Sequence, residues 1–180
     1  EKYPDSGNTG TTLANMDSDS SDVVSYAYNA QGQVTYRKDQ AGSIFESDFD
    51  TSGSELHKRV TTLASGLEGA VRRKSTTYDS LGRPSLVTQY DNATVGSGSV
   101  TDEVSYTYDG WGGITSYKQD KDSAVGGSGY YEMAYAYEKA TTGRNAIRRT
   151  SMTLPGSKTI TFEYSVELGD NMSRVGRLKD

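Results

Sequence analysis

Carboxylate or amide side chains recur along the sequence at Asn29, Asp50, Asp79 and Asp109, and they are the first candidates for acid–base chemistry. Each of them follows an aromatic residue and precedes a glycine by three positions. This arrangement is typical of tight turns, in which the first side chain caps the turn amides and the glycine adopts a left-handed backbone. We therefore expect these residues to cap turns and not to form the close carboxylate pair of a glycosidase.

His57 is the only histidine of the chain, so a Ser-His-Asp triad could use no other imidazole. It lies in the segment Glu55–Lys58, on a predicted exposed strand with no nucleophile motif near it. Cysteine is absent, which excludes a thiolate nucleophile, a thiolate metal site and a disulfide framework. We predict that the chain is not an enzyme and that it needs no cofactor.

Asp17, Asp19 and Asp22 stand at alternating or near-alternating positions, as the carboxylates of a calcium-binding loop do. The sixth position of such a loop requires glycine and is Asp22 here, and the twelfth position requires a bidentate glutamate and is Tyr28. We expect a solvated acidic segment and no metal site, with a weak extracellular calcium site as the alternative. Residues 1–22 as a whole are predicted to be a flexible or extended lead-in, because they offer almost nothing to bury.

Trp111, Tyr130 and Tyr131 are the candidates for ligand binding. Trp111 stands inside a turn where Leu81 stands in another copy of the same sequence phrase, and the tyrosine pair follows a glycine-rich loop. Exposed aromatic rings can stack on sugar rings or dock a partner protein. The alternative is that these rings pack on a neighbouring hairpin.

Composition excludes two classes of partner. The net charge of −5 argues against nucleic acid, and the short basic run Arg72–Lys74 is expected on the solvated face of a strand. No stretch of the 180 residues approaches the roughly 20 apolar positions that a membrane-spanning helix needs, so we predict no membrane insertion. Apolar residues make up only 33% of the chain, whereas it has 14 tyrosines, whose rings must then supply much of the buried area.

The aromatic residues mark a repeat with a spacing of 21 to 30 residues. Such a period is typical of repeated supersecondary units, each too small to bury its apolar face alone. The predicted structural positions of the repeat are the aromatic residues, the turn acids or amide, and the turn glycines: Tyr28, Phe49, Tyr78, Tyr108, Tyr137, Tyr164, Asn29, Asp50, Asp79, Asp109, Gly32, Gly53, Gly82 and Gly112.

Alternating residues on both sides of each turn predict β-hairpins. The clearest hairpins are expected at 23–38, 75–90 and 104–119, with loops at 63–69, 92–99, 123–129 and 138–146. Isolated hairpins are marginal in water, so they must pair laterally. We predict an all-β domain over 23–180, in which successive antiparallel β-hairpins form a long curved or spiralling sheet. The chain is expected to be a segment or processed product of a longer protein.

The phrase Tyr78-Asp79-Ser80-Leu81-Gly82-Arg83 resembles the YD repeat of Rhs-type proteins, especially the very large YD-repeat proteins of environmental, planctomycete-like bacteria. The resemblance extends over nearly the whole chain. It implies hairpins that wind side by side as a spiralling YD-repeat sheet. In relatives this sheet forms a hollow shell around a toxic segment, serves cell adhesion, or has been linked to carbohydrate binding.

Three functions follow from these expectations. The first is a structural or scaffold module of a secreted or cell-surface bacterial protein, with no chemistry of its own. Its partners would be flanking YD repeats or copies of itself, joined through sheet edges into a shell or an extracellular filament. The second is an adhesion or carbohydrate-binding module that binds glycans or a cell-surface partner. The third is a hydrolase, which ranks last because the sequence shows no nucleophile–base pair. Part of a toxin-encapsulating shell is a less favoured form of the first, since the sequence has no Asp-Pro-rich motif that ends such a shell and no toxin domain.

Overall fold

The computed structural model describes residues 23–138, 147–164 and 175–179, with the backbone alone for 163, 164 and 175–179. The chain divides into two compact units, Glu1–Asp102 and Glu103–Asp180. The predicted lead-in at 1–22, with its acidic segment, lies outside the described residues. So does most of the predicted loop at 138–146.

Six consecutive strands form the first unit, and each pairs with the next in an antiparallel arrangement. Short turns and loops connect the strands, so the chain meanders back and forth in sequence order. The strands are β1 (Ser25–Tyr28), β2 (Val34–Lys38), β3 (Ile44–Phe49), β4 (Glu55–Thr62), β5 (Arg73–Tyr78) and β6 (Pro84–Tyr90).

The second unit repeats this pattern, again with each strand antiparallel to the next. The prediction of an all-β chain of successive antiparallel hairpins is therefore confirmed. Strand β7 begins four residues earlier than the predicted 104. The unit boundary falls within β7, after its third residue. The strands are β7 (Val100–Tyr108), β8 (Ile114–Asp120), β9 (Tyr131–Glu138), β10 (Arg148–Thr153), β11 (Thr159–Tyr164) and β12 (Val175–Lys179).

The hairpin turns share one geometry, which Asp109 illustrates. The Asp109 amide donates to the Gly113 carbonyl at 2.8 Å, and the Gly112 amide donates to the Asp109 carbonyl at 3.2 Å. Gly112 has a φ of 89°, in the left-handed region that glycine adopts without steric cost. Gly32, Gly53 and Gly82 stand at the same place in their turns, with φ between 76° and 87°.

The turn acids accept two further hydrogen bonds through their side chains. Asp50 Oδ1 accepts from the amides of Ser52 and Ser54, both at 2.8 Å. Asn29, Asp79 and Asp109 accept the equivalent pairs of amides. These oxygens satisfy turn amides that no strand partner reaches, which is why an acid or amide recurs there.

A further turn of this kind, Asp39–Gly42, was not predicted, because Lys38 precedes it in place of an aromatic residue. It joins β2 to β3, and Asp39 Oδ1 accepts from the Ser43 amide at 2.8 Å. Gly42 has a φ of 88°. The spacing of aspartate and glycine is therefore the better signal for a turn, and the turn does not require an aromatic residue before it.

The described residues bury little apolar surface. Val24, 6% exposed, is the one fully buried apolar side chain among them, and the other buried positions are polar: Ser43, Arg73, Thr88, Glu103 and Asp120. Most strand side chains are half-buried, including the cross-strand pair Tyr106 and Tyr117, whose ring centroids lie 5.4 Å apart. Hydrogen bonds and aromatic contacts must therefore carry much of the cohesion that a deep apolar core supplies elsewhere.

Two glycines of one turn give a matched test of this geometry. Gly112→Ala should lower the free energy of unfolding by about 1–2 kcal/mol, because an L-residue is strained at a left-handed φ. Gly110→Ala should raise it by about 0.4–1 kcal/mol, because Gly110 has no left-handed φ, nothing lies within 4 Å of an added Cβ, and alanine restricts the unfolded chain. Urea unfolding of the two variants checks this. Equal effects would contradict the turn geometry.

Candidate functional site

Each repeat aromatic residue lies beside a β-bulge. Tyr78 pairs with Pro84, but the preceding Thr77 pairs with Leu86, so Ser85 is an extra residue in the return strand. The same shift occurs next to all six repeat aromatics. The extra residues are Thr35, Leu56, Ser85, Thr115, Thr150 and Gly176. A bulge breaks the regular ladder and leaves backbone groups that need other partners.

Ladders between neighbouring hairpins end before they reach these bulges. Between β4 and β5, the pairing stops at His57 and Ser75, two residues after Glu55. Between β8 and β9, it stops at Ser116 and Ala134, two residues after Ile114. Glu55 and Ile114 are the residues that pair with the repeat aromatics Phe49 and Tyr108. The carbonyls of these two residues therefore lie beyond the inter-hairpin ladder.

Tyrosine hydroxyls of the following hairpins bind these two carbonyls. Tyr78 Oη donates to the Glu55 carbonyl at 2.9 Å, and Tyr137 Oη donates to the Ile114 carbonyl at 2.9 Å. We call this bond, from a repeat tyrosine to the bulge of the preceding hairpin, the tyrosine staple. It joins neighbouring hairpins at the end where their backbones no longer pair.

Gly113 makes room for one of these staples. A Cβ added to Gly113 would lie 3.2 Å from both Cε2 and Cζ of the Tyr137 ring. The ring therefore lies against the backbone that follows the Asp109–Gly112 turn, and a larger residue at 113 would displace it. This contact gives glycine a packing role that the turn geometry alone did not predict.

Phe49 occupies a repeat position without a hydroxyl group. The hairpin that contains Phe49 is joined to the preceding hairpin through Gln33, whose Nε2 donates to the Gly53 carbonyl at 2.8 Å. Gln33 is itself oriented by Asn29, whose Nδ2 donates to Gln33 Oε1 at 2.9 Å. An amide side chain thus links two adjacent turns where the staple is missing.

The two groups of aromatic ligand-binding candidates do not come together. Trp111 is 65% exposed in the turn before β8, and Tyr131, 59% exposed, pairs with Gln119 near the far end of β8. The strand between them spans about 20 Å at about 3.3 Å per residue. Tyr130 and Tyr131 instead line an open groove of about 680 Å³ with the turn 154–157. One ligand ring cannot stack on both groups.

His57 lies in a row of polar side chains that crosses three strands. Its Nδ1 is 2.9 Å from Ser75 Oγ on β5, and Asp48 pairs directly with it from β3. This places a serine and an aspartate beside the only imidazole, which the sequence did not predict. However, Asp48 accepts from Arg59 at 2.9 Å, and Ser75 Oγ accepts from Arg73 Nε at 3.3 Å. The cavity lined by Asp48 and Arg59 does not reach His57 or Ser75.

The surroundings of His57 and Asp79 lower the pKa values of both side chains. Burial lowers the pKa of His57, Asp48 opposes that effect, and Arg73 and Arg59 add to it. In the turn, the hydrogen bonds from the Arg83 side chain and amide hold the pKa of Asp79 below its usual range. Asp79 is therefore poorly suited to act as a general acid.

Arg73 does not lie on a solvated strand face, so the expectation for the run Arg72–Lys74 was wrong there. It is 3% exposed and stacks over the Tyr90 ring at 3.9 Å. Its guanidinium donates to the carbonyls of Asn92, Thr94 and Ser97 and so holds the loop after β6. Arginine suits this role because its planar fork of donors can serve several acceptors while its face stacks on a ring.

Within the described ranges, no group of three or more His, Cys, Asp or Glu side chains could hold a metal ion. A search of the same residues finds no helix with the length and apolar character to span a membrane.

Tyr28, the first repeat aromatic, is 60% exposed, so its ring buries little against the described residues. The other described repeat aromatics with resolved burial, Phe49, Tyr78, Tyr108 and Tyr137, are half-buried.

No family model and no curated protein matches this chain. Among solved structures, it is similar to the Tc holotoxin pore of Photorhabdus luminescens, with 14% identity and a TM-score of 0.29 over 84% of this chain. It is also similar to the crystal structure of TcdB2-TccC3-Cdc42, with 15% identity and a TM-score of 0.29 over 79% of this chain. The match covers 10% of each of those chains, and a likeness this weak carries no argument about function.

Removing or adding a hydroxyl group tests the tyrosine staple in both directions. Tyr78→Phe should lower the free energy of unfolding by about 0.5–1.5 kcal/mol, because the Glu55 carbonyl loses its donor. Phe49→Tyr should raise it, because Val34 pairs with Tyr28 as Glu55 pairs with Phe49 and would offer the new hydroxyl an equivalent carbonyl. Urea unfolding measures both changes. Tyr131→Phe, at an exposed hydroxyl, is the control and should leave stability within about 0.5 kcal/mol.

The lowered pKa of His57 predicts a pH dependence of stability. Because the unfolded chain binds the proton more tightly, stability is complete above the ordinary pKa of about 6.5 and falls as the pH drops from there towards the folded pKa. Unfolding measured from pH 8 to pH 5 should show this loss, and His57→Gln should reduce it. An unchanged slope in His57→Gln would show that another group titrates.

Proposed function

We propose that this chain is a non-catalytic structural module of the YD-repeat type, from a secreted or cell-surface bacterial protein. Its role is to join its sheet edges to further hairpins, either flanking YD repeats or copies of itself. The product is a shell or an extracellular filament. In this proposal the chain is a structural connector, and the hairpin is the unit that it joins to others.

The tyrosine staple is the observation that carries this proposal. It acts between hairpins and not within one, and it recurs with the same separation of 23 residues between donor and acceptor in each unit. A device that repeats in this way is suited to adding hairpins one after another. Sheet edges in turn offer unpaired backbone groups to an incoming strand.

The non-catalytic part of the proposal is supported by how the polar side chains are used. Asp50, Asp79 and Asp109 cap turns, and Arg59 and Arg73 bind the neighbours of His57. At Asp79, the hydrogen bonds from the Arg83 side chain and amide hold the pKa below its usual range and so favour the ionised carboxylate. Such groups hold the sheet together, and the cavity lined by Asp48 and Arg59 does not reach His57.

An adhesion or carbohydrate-binding module is the second candidate. Trp111 projects from a turn with 65% of its surface exposed, and a ring in that position could stack on a sugar. The candidate needs Trp111 or the tyrosine groove alone to suffice, since the two lie apart. The toxin-encapsulating shell rests on the sequence resemblance and has no separate structural observation in its favour.

Self-association of the chain through the edge strand β1 tests the structural proposal. We expect light scattering to show species that grow with concentration, and electron microscopy to show their extended form. Tyr26→Lys with Tyr28→Lys should suppress this growth, because lysine on an edge strand opposes pairing. Leu81→Lys with Trp111→Lys is the matched control, since it changes the charge equally at exposed turn positions and should assemble like the parent chain. A chain that stays monomeric at every concentration contradicts self-association, and equal loss in both variants contradicts the edge.

A glycan array separates the second candidate from the first. Binding that disappears in Trp111→Ala would support a carbohydrate-binding module, with Leu81→Ala in the equivalent turn as the control. Absence of binding, or binding unchanged in Trp111→Ala, would remove Trp111 from consideration as the sugar-stacking residue.

A further inference from the structure

Neighbouring hairpins meet in one fixed register within both units. The register is counted from two residues at each of the four described junctions inside the units. One is the residue that pairs with the repeat aromatic of the earlier hairpin, and the other is the repeat aromatic of the later hairpin. The residue two positions after the former pairs with the residue three positions before the latter. This places His57 opposite Ser75 and Ser116 opposite Ala134. The two other described junctions, β2 with β3 and β10 with β11, give Tyr36 opposite Glu46 and Ser151 opposite Thr161.

Among the described strands, β1 and β12 carry the two separate halves of such a junction. Tyr28 on β1 is a repeat aromatic, and its hydroxyl has no hydrogen-bond partner in the described part of the chain. Val175 on β12 pairs with the repeat aromatic Tyr164, next to the bulge at Gly176. It is therefore in the position of Glu55 and Ile114, whose carbonyls accept the staples. One chain thus holds a donor half at β1 and an acceptor half at β12.

We propose that β12 of one copy pairs with β1 of a second copy in this same register. The rule places Arg177 of one copy opposite Ser25 of the next, with the Tyr28 hydroxyl donating to the Val175 carbonyl. The inference rests on the proposed structural function and names its partner, a second copy of this chain, together with the residues that meet.

Head-to-tail pairing is favoured over a symmetric dimer by the same chemistry. Two β1 strands would bring two staple hydroxyls together without a bulge carbonyl, and two β12 strands would bring two bulge carbonyls together without a staple hydroxyl. Only β12 against β1 reproduces the hydroxyl-to-carbonyl pair of the Tyr78 and Tyr137 staples. A head-to-tail contact that does not close on itself continues copy after copy, which gives a filament.

A disulfide test is suited to this chain because it has no cysteine, so an introduced cysteine is the only thiol that can cross-link. One preparation carries Ser25→Cys and another carries Arg177→Cys, and the two are mixed under mild oxidation. Directly opposed residues have Cα atoms about 4.5–5.5 Å apart, within the range a disulfide requires. The mixture should give a covalent dimer, and neither variant alone should. Ser25→Cys mixed with Lys179→Cys is the register control, because a diagonal pair lies about 7–8 Å apart and should cross-link several-fold less.

Removing the hydroxyl tests the staple between copies. Tyr28→Phe should raise the concentration at half-assembly about fivefold, as the loss of one neutral hydrogen bond predicts. Tyr26→Phe is the matched control, because the positions equivalent to Tyr26 in the other hairpins hold no staple. Its half-assembly concentration should not change.

The outcomes separate this inference from the function on which it rests. Assembly with cross-linking in another register, or cross-linking of Ser25→Cys alone, would overturn the head-to-tail junction and leave the structural function in place. An equal response of Tyr28→Phe and Tyr26→Phe would overturn the staple between copies. A chain that light scattering finds monomeric throughout would overturn both the junction and self-association.

Discussion

The sheet depends on a hydrogen bond between neighbouring hairpins, in which the backbone carbonyl at the bulge of one hairpin accepts from a tyrosine of the next. The inter-hairpin ladders stop two residues short of Glu55 and Ile114. Tyr78 and Tyr137 complete the junctions with their hydroxyl groups. A leucine could bury as much surface at these positions but could not donate. This hydrogen bond accounts for the choice of tyrosine over an aliphatic residue at positions 78 and 137.

Turn chemistry and inter-hairpin chemistry are divided between adjacent residues of the repeat. Asp79 satisfies the amides of its own turn, while Tyr78, one position earlier, reaches the hairpin before it. The pair therefore fixes both the shape of one hairpin and its attachment to another. The thin apolar core follows from this division, because cohesion is distributed over many hydrogen bonds and ring contacts along the sheet.

The hairpins could be predicted from the sequence because their signals are local: alternation in the strands, with aspartate and glycine three positions apart in the turns. The bulges could not, because the extra residues have little in common, as Thr35, Leu56 and Ser85 show. The burial of Arg73 was also invisible, since it depends on carbonyls 19 to 24 residues away. The separation of Trp111 from Tyr131 could not be predicted from the sequence either, because it depends on the length of β8 and on the order of the strands in the sheet.

In the proposed structural function, one residue type would both join hairpins within a unit and join the sheet to a further copy. Within each unit, the hydroxyl of a later hairpin closes the bulge of an earlier one, so a sheet made this way has a donor at its first strand and an acceptor at its last. That polarity comes from the chain direction of the repeat and requires no specialised contact surface.

The most direct test of the staple is the rate at which tyrosine hydroxyl protons exchange with water, measured by NMR on a chain with isotopically labelled tyrosine rings under monomeric conditions. Tyr78 and Tyr137 should exchange several-fold more slowly than Tyr28, because their protons are engaged with the Glu55 and Ile114 carbonyls. Exchange of all three at the rate of Tyr28 would show that the hydroxyls are solvated, and the hairpins would then be joined by something else.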